Sequence, residues 1–189
     1  MAAVDLSGFI ADFKDHAAEH RFHIHDERHF VETYTMRQAF EVDLHPEDHC
    51  GGPLDVHASL EVEPRVLLAF EDSLLDFDEE SEPSDEFQLP FHVNWALPPL
   101  TDGPDLLVLA AELAGTAGPD LPLQVSETQS YAPFGEGPET RLTLVATVEL
   151  SLARLFMGED QLCDTLERTR EVCEYLLDRA PLWLGESLA

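Results

Sequence analysis

Three segments of the chain alternate regularly between apolar and more polar residues, and this pattern limits the fold more than any other feature. Residues 54–62, 87–97 and 142–150 each place an apolar residue at every second position. Successive side chains of a strand point to opposite faces, so a period of two buries one face and leaves the other in water. The pattern therefore predicts an antiparallel sheet with one covered face and one solvated face.

Other segments fill in the predicted sheet. Residues 30–44 read as a long strand that forms a hairpin with residues 54–62, because the connection at 45–53 is rich in Gly and Pro. The apolar run at 66–70 is short enough to extend the sheet as a further strand. The last predicted strands form a second hairpin, made by residues 121–131 and 140–152.

Two helices are expected at the ends of the chain. Residues 5–20 and 159–180 place apolar side chains at steps of three and four, which gives each helix one apolar face. Pro181 is expected to end the second helix. Residues 104–114 fit either a helix or a buried strand, because periodicity does not separate the two for a short apolar run.

These elements predict one α+β domain over residues 1–189, in the order α-β-β-β-β-α-β-β-α, with an antiparallel sheet of two hairpins and an extra strand. The N- and C-terminal helices would cover it. This order is similar to that of the type III secretion chaperone-like fold, whose members are acidic and often bind other proteins. The resemblance implies a protein-binding role.

The chain is strongly acidic, with 39 Asp and Glu residues against 10 Lys and Arg and a formal net charge of −29. No lysine or arginine lies between Arg65 and Arg141. Nucleic acids and anionic membranes bind basic surfaces, so neither is an expected partner. A cation, a basic protein segment or no partner at all fits this charge better. Acidity shared by a whole proteome is the leading explanation of the charge itself.

The cellular setting is expected to be the cytoplasm. No apolar stretch is long enough to span a membrane, and the N-terminal segment has no cationic region of the kind that begins a secretory signal. Three cysteines do not make a disulfide framework. Cys163 and Cys173 fall on the predicted C-terminal helix, where we expect them to behave as small core residues.

Two further features of organisation are predicted. Residues 71–86 are rich in Asp and Glu and contain no base, which is typical of a solvated, flexible loop. Residues 54–76 also align without a gap on residues 142–164, with identities such as Leu54 with Leu142. An internal duplication of a hairpin-plus-helix unit would explain this alignment, and chance similarity between two strands is the alternative.

Most of the histidines lie in the first third of the chain. His16 and His20 are four positions apart on the predicted N-terminal helix, so they share a face and suit two ligands of one zinc ion. His25 follows in an extended segment, and the loop beyond offers His49 and Cys50. The sequence therefore predicts a zinc site at His16, His20 and His25, with His49 and Cys50 as further ligands.

The loop cysteine has a second interpretation. Cys50 has His49 beside it and His45 nearby, which is a residue combination found in thiol nucleophiles. Its acidic neighbours disfavour the thiolate that such chemistry needs. His23 and His25 would share a face if their segment is extended.

No catalytic signature is present: the chain has no His-Glu-x-x-His, Cys-x-x-Cys, Gly-x-Gly-x-x-Gly or Gly-x-Ser-x-Gly sequence. The leading interpretation is therefore a non-enzymatic protein-interaction or chaperone-like module. It is expected to form a homodimer through the apolar segment Leu182, Trp183 and Leu184. The alternative is a histidine-dependent metal protein with hydrolytic chemistry. A third interpretation is a binder of small apolar ligands lined by Phe87, Phe91 and Trp95.

Overall fold

The computed structural model describes residues 4–76, 83–134, 137–159 and 161–185. Its strands and helices follow one another as α1 Leu6–Glu19, β1 Phe22–Val31, β2 Gln38–Pro46, β3 Asp55–Val62, α2 Pro64–Ser73, β4 Gln88–Ala96, α3 Leu106–Ala117, β5 Leu123–Tyr131, β6 Pro138–Ser151, α4 Leu152–Phe156 and α5 Cys163–Leu184. Among these described residues, no helix combines the length and the apolar character that crossing a membrane requires.

The six strands form one antiparallel sheet in the order β1-β2-β3-β4-β6-β5. Its register aligns Val42 with Ala58, Ala58 with Val93, and Val93 with Ala146. The predicted α+β class is confirmed, and the main elements follow the predicted order once the short helices α2 and α4 are set aside.

Apolar side chains on one face of the sheet form the core with the helices. Along β2, β3, β4 and β6 these residues are buried, while their sequence neighbours keep partial or full exposure. Phe13 of α1 meets Phe91 of β4 edge to face, with ring centroids 5.3 Å apart. Helix α5 contributes buried residues such as Leu166 and Leu176, and α3 packs against both β5 and α5. The opposite face of the sheet stays polar.

Two predicted strands are wrong. Residues 30–44 are not one strand: β1 ends at Val31 and β2 begins at Gln38, and hydrogen bonds from Glu32 N to Arg37 O and from Met36 N to Glu32 O close the turn between them. Residues 66–70 belong to helix α2, because Pro64 occupies its first turn and Phe70 is buried at helical spacing.

The helix boundaries also differ from the predicted ones. Residues 104–114 resolve as helix α3, with the Asp105 carboxylate accepting hydrogen bonds from the N–H groups of Leu107 and Val108. Helix α5 runs through Pro181 to Leu184 and ends at Gly185, whose φ of 72° is the left-handed cap conformation. Pro181 is tolerated there because only one helical hydrogen bond is lost, close to the helix end.

The acidic segment 71–86 divides into parts with different outcomes. Residues 71–76 are helical rather than a loop, since they complete α2 and a following 3-10 turn, and residues 77–82 lie outside the described residues. In the two windows of the proposed duplication, β3 runs into α2 and β6 runs into α4. A common origin for the two windows stays a prediction.

Candidate metal centre

Three potential metal ligands meet at the β1 edge of the sheet. His23 and His25 lie on β1, and Cys50 lies in the connection between β2 and β3. The Cys50 Sγ atom is 2.8 Å from His23 Nδ1 and 3.7 Å from His25 Nε2, and all three ligand atoms lie within 4.8 Å of one another. All three side chains are exposed, so an ion from solvent reaches them directly.

The local chain path explains this meeting. Residues two apart on a strand share a face, which places His23 and His25 side by side. Arg21, with a φ of 64°, turns the chain from α1 into β1, and its carbonyl accepts a hydrogen bond from Glu47 N at 2.8 Å. The Arg21 side chain also pairs with Asp48 at 2.8 Å, so the segment carrying Cys50 is tied to the start of β1.

The spacing suits a tetrahedral ion with little rearrangement. Bonds of about 2.0–2.1 Å to imidazole nitrogen and about 2.3 Å to thiolate sulfur place neighbouring ligand atoms roughly 3.5 Å apart. The separation between Cys50 and His25 already matches this distance, and that between Cys50 and His23 must open by a side-chain movement of less than about 1 Å.

Residues around the ligands resemble the outer contacts of metal sites. His23 faces Cys50 through Nδ1, and its Nε2 atom is 4.0 Å from the Glu47 carboxylate. A carboxylate behind a ligating imidazole fixes the ring and strengthens its nitrogen as a ligand. The His25 ring packs against the His45 ring, with centroids 4.3 Å apart.

His45 is the more enclosed partner of this ring pair. Burial and the neighbouring His25 ring lower the pKa of the His45 imidazole below its ordinary value, against the opposing effect of Asp55. Its Nδ1 atom is buried without a hydrogen-bond partner among the described residues. A neutral His45 adds no positive charge of its own next to His25, which favours a cation at the cluster.

The structure assembles only part of the predicted zinc site. It brings His25 and Cys50 together and adds His23, but it does not bring His16, His20 or His49 within ligand distance of them. The reason is that α1 ends at Glu19 and the chain reverses at Arg21, so the helix histidines are carried away from the strand histidines.

The other predicted site residues lie mostly in the core. Phe91 and Trp95 are buried, and Phe87 packs against Phe70 with ring centroids 5.8 Å apart, so these rings fill space within the protein. Burial raises the pKa of the Cys173 thiol to about 12, which fits a core cysteine.

The predicted interface segment is divided between core and surface. Trp183 is 6% exposed, and its carbonyl accepts hydrogen bonds from the N–H groups of Thr101 and Asp102. Leu182 is 72% exposed and Leu184 is half-buried. Of the three, Leu182 therefore presents the most surface to a partner.

An ordered set of charges continues from the cluster along the polar face of the sheet. The Arg28 guanidinium pairs with Asp43 at 2.8 Å and with Glu41 at 3.1 Å, and His57 Nδ1 is 2.7 Å from Asp43 Oδ1. Burial opposes the charge on Asp43, but the hydrogen bonds from Arg28 and His57 hold the pKa of its carboxyl below the usual value. Sequence reasoning did not identify this group.

Comparison with known proteins adds no relative: no protein family, curated protein or solved structure matches this chain. The similarity to the type III secretion chaperone-like fold is not confirmed and stays a prediction.

Proposed function

We propose that this protein binds a transition metal ion of the zinc type at His23, His25 and Cys50. The observation that carries the proposal is the meeting of two imidazole nitrogens and one thiol sulfur within 4.8 Å, from two separate segments of the chain. Imidazole and thiolate suit zinc, whereas calcium and magnesium select oxygen ligands.

The electrostatic surroundings support a cation. Glu47 and Asp48 flank the cluster and share a single guanidinium, that of Arg21, so the pair of carboxylates keeps one excess negative charge. The chain as a whole carries a formal net charge of −29. Cysteine binds metals as the thiolate, so a divalent ion at Cys50 would coordinate the deprotonated sulfur. Metal uptake should therefore release a proton and tighten as the pH rises.

Three protein ligands leave a fourth tetrahedral position for water or another small ligand. The ligands stand on an exposed strand edge, so this arrangement favours binding and exchange of the ion over hydrolysis in an enclosed pocket. The hydrolytic form of the metal interpretation has weaker support for this reason.

Cobalt titration of the reduced, metal-free protein tests the proposal. We expect one Co²⁺ per chain, with a thiolate-to-cobalt charge-transfer band that Zn²⁺ then displaces. Cys50→Ser should abolish the band, and His23→Ala and His25→Ala should weaken binding strongly. Glu47→Gln should weaken binding less, by about tenfold at most, because Glu47 lies 4.0 Å from His23 Nε2 and acts on the site through its charge rather than through a hydrogen bond.

Matched controls come from histidines outside the cluster. His16→Ala and His20→Ala should bind cobalt and zinc like the wild type, because neither side chain reaches the ligand atoms. The proposal fails if the wild type takes up no metal, or if Cys50→Ser binds zinc as tightly as the wild type.

A protein-interaction role is the second candidate, and the observation that favours it is an apolar patch between α3 and α5. Val108 and Leu182 are 55% and 72% exposed, and they line a cleft of about 210 Å³ with Trp183 and with the charged side chains of Glu112 and Arg179. Leu107, on the same helix as Val108, is 83% exposed. Apolar surface of this kind marks interaction sites when it is contiguous.

Sedimentation tests this second candidate as a self-association. If the patch joins two copies, the wild type should sediment as a dimer and Leu182→Glu as a monomer. Trp183→Ala does not serve as an interface variant, because Trp183 is buried and its loss should also destabilise the fold. A monomeric wild type, or a dimeric Leu182→Glu protein, would count against the patch as the contact.

A further inference from the structure

A groove between α1 and the α4–α5 connection combines an apolar floor with an acidic rim. It consists of two adjoining clefts of about 320 Å³ and 120 Å³, which share Phe9, Asp12 and Leu155 in their walls. Phe156, which is 41% exposed, lines the larger of the two clefts.

The floor is apolar because two amphipathic elements meet there. Phe9 and Leu155 are only partly buried against the core, while Phe13 below them is buried. Phe156 adds an aromatic ring to the wall of the larger cleft, so the floor offers apolar surface to a side chain from outside.

The rim carries charge of one sign. Asp5, Asp12 and Glu159 line the two clefts together with His16, and none of the described lysines or arginines is among the lining residues. Asp5 is occupied as the cap of α1, and Glu159 pairs with Arg154 at 2.9 Å. Asp12 is exposed and has no ion pair within the described part of the chain, so its carboxylate is available to a partner.

We propose that this groove binds a basic amphipathic segment of another protein, most simply a helix with apolar residues on one face and lysine or arginine on the other. Such a segment would place its apolar face on Phe9 and Leu155 and its cations beside Asp12. The net charge of −29 would steer a cationic partner toward the molecule and repel a second copy of the same chain. This surface is separate from the metal cluster, and the inference does not depend on metal binding.

Binding of a synthetic peptide tests the inference. The probe is an amphipathic leucine and lysine peptide of about 15 residues, roughly 22 Å as a helix and so comparable to the 14 residues of α1. We expect it to bind the full-length protein, and a peptide with the same pattern of leucine and glutamate not to bind. Hydrogen exchange should show protection by the peptide at α1 and at residues 155–159.

Two paired variants separate docking in the groove from general attraction between opposite charges. Asp12→Lys should weaken binding of the lysine peptide about tenfold, whereas Asp15→Lys, the same change on the same helix but outside the groove lining, should have a much smaller effect. Phe156→Ala should weaken binding several-fold, while Tyr131→Ala, a matched loss of an exposed aromatic ring on β5 and outside the groove lining, should leave it unchanged.

Three outcomes would overturn the inference. The peptide does not bind the wild type; Asp12→Lys and Asp15→Lys weaken binding equally, which indicates non-specific attraction; or Asp12→Lys dissociates a wild-type dimer, which identifies a second copy as the occupant. Circular dichroism of each variant verifies that the substituted protein is folded before binding is compared.

Discussion

The two faces of the sheet are held by different physical effects. The covered face is a continuous set of buried apolar side chains, with Leu60 and Trp95 fully enclosed. The open face is held by directional contacts at partial exposure, such as the pairing of Arg28 with Asp43 and a 3.0 Å contact between His92 and Thr147. Hydrophobic burial contributes in proportion to area, whereas exposed ion pairs contribute little individually. The covered face therefore supplies most of the stability of the fold. The polar side chains that could bind or react lie mainly on the open face.

The largest effect is expected from truncating the covered side of the molecule. Leu166→Ala removes a side chain that is 2% exposed and should lower the free energy of unfolding by about 2–5 kcal/mol. Leu107→Ala, at a position that is 83% exposed, should change it by less than about 0.5 kcal/mol. Urea denaturation measures the free energy of unfolding of both variants. Equal decreases for the two would show that burial in the core does not dominate the stability.

A smaller effect is expected from breaking the charge group on the open face. Arg28→Ala leaves Asp43, Glu41 and Asp26 close together without their shared cation, so the melting temperature should fall, but by less than for Leu166→Ala. The decrease in melting temperature should become smaller at high salt, because ions screen the repulsion between the remaining carboxylates. Arg168→Ala, which removes a guanidinium that pairs with Glu171 on α5, is the matched control and should be nearly neutral. If Arg28→Ala lowered the melting temperature as much as Leu166→Ala, the charge group would contribute as much to stability as a core side chain, contrary to this prediction.

Acid should destabilise the open face through His45. Because the folded state favours its neutral form, the unfolded chain binds the proton more readily, and stability falls as the pH drops through about 6.5 toward the lower folded-state pKa. His45→Gln should lose less stability over that range than the wild type, as measured by thermal unfolding at a series of pH values. Identical pH profiles for the two proteins would show that His45 does not contribute.

The same contrast explains what the sequence could predict. A period of two in residues 54–62, 87–97 and 142–150 identifies the buried face, because burial needs only apolar character at the right positions. The turn at 32–37 is hidden in the sequence because Tyr34 and Met36 within it continue the apolar pattern at even positions, although both are exposed in the structure. The helix at 66–70 resembles a strand because a short apolar run fits both structures.

The candidate metal centre shows the limit of such reasoning. The composition pointed to histidine and Cys50, but the partners depend on how the β2–β3 connection folds back onto β1, which no local pattern encodes. His16 and His20 have the spacing of two ligands on one helix face, but they are not part of the cluster of potential ligands in the structure. Arg28 likewise finds Asp43 through the register of β1 with β2.

The smallest effect is expected from salt, and it acts on the two faces in opposite directions. Sodium chloride weakens the favourable pairs of the open face, such as Arg28 with Asp43, but it also screens the repulsion within a chain of net charge −29. The pairs are short-range and partly shielded from solvent, whereas the excess negative charge is spread over distances beyond the screening length of about 8 Å at 0.15 M. Screening of the repulsion should therefore prevail, and moderate salt should raise the melting temperature slightly. A melting temperature that falls between low salt and about 1 M sodium chloride, where the screening length is about 3 Å, would show that the open-face pairs contribute more than the net charge removes.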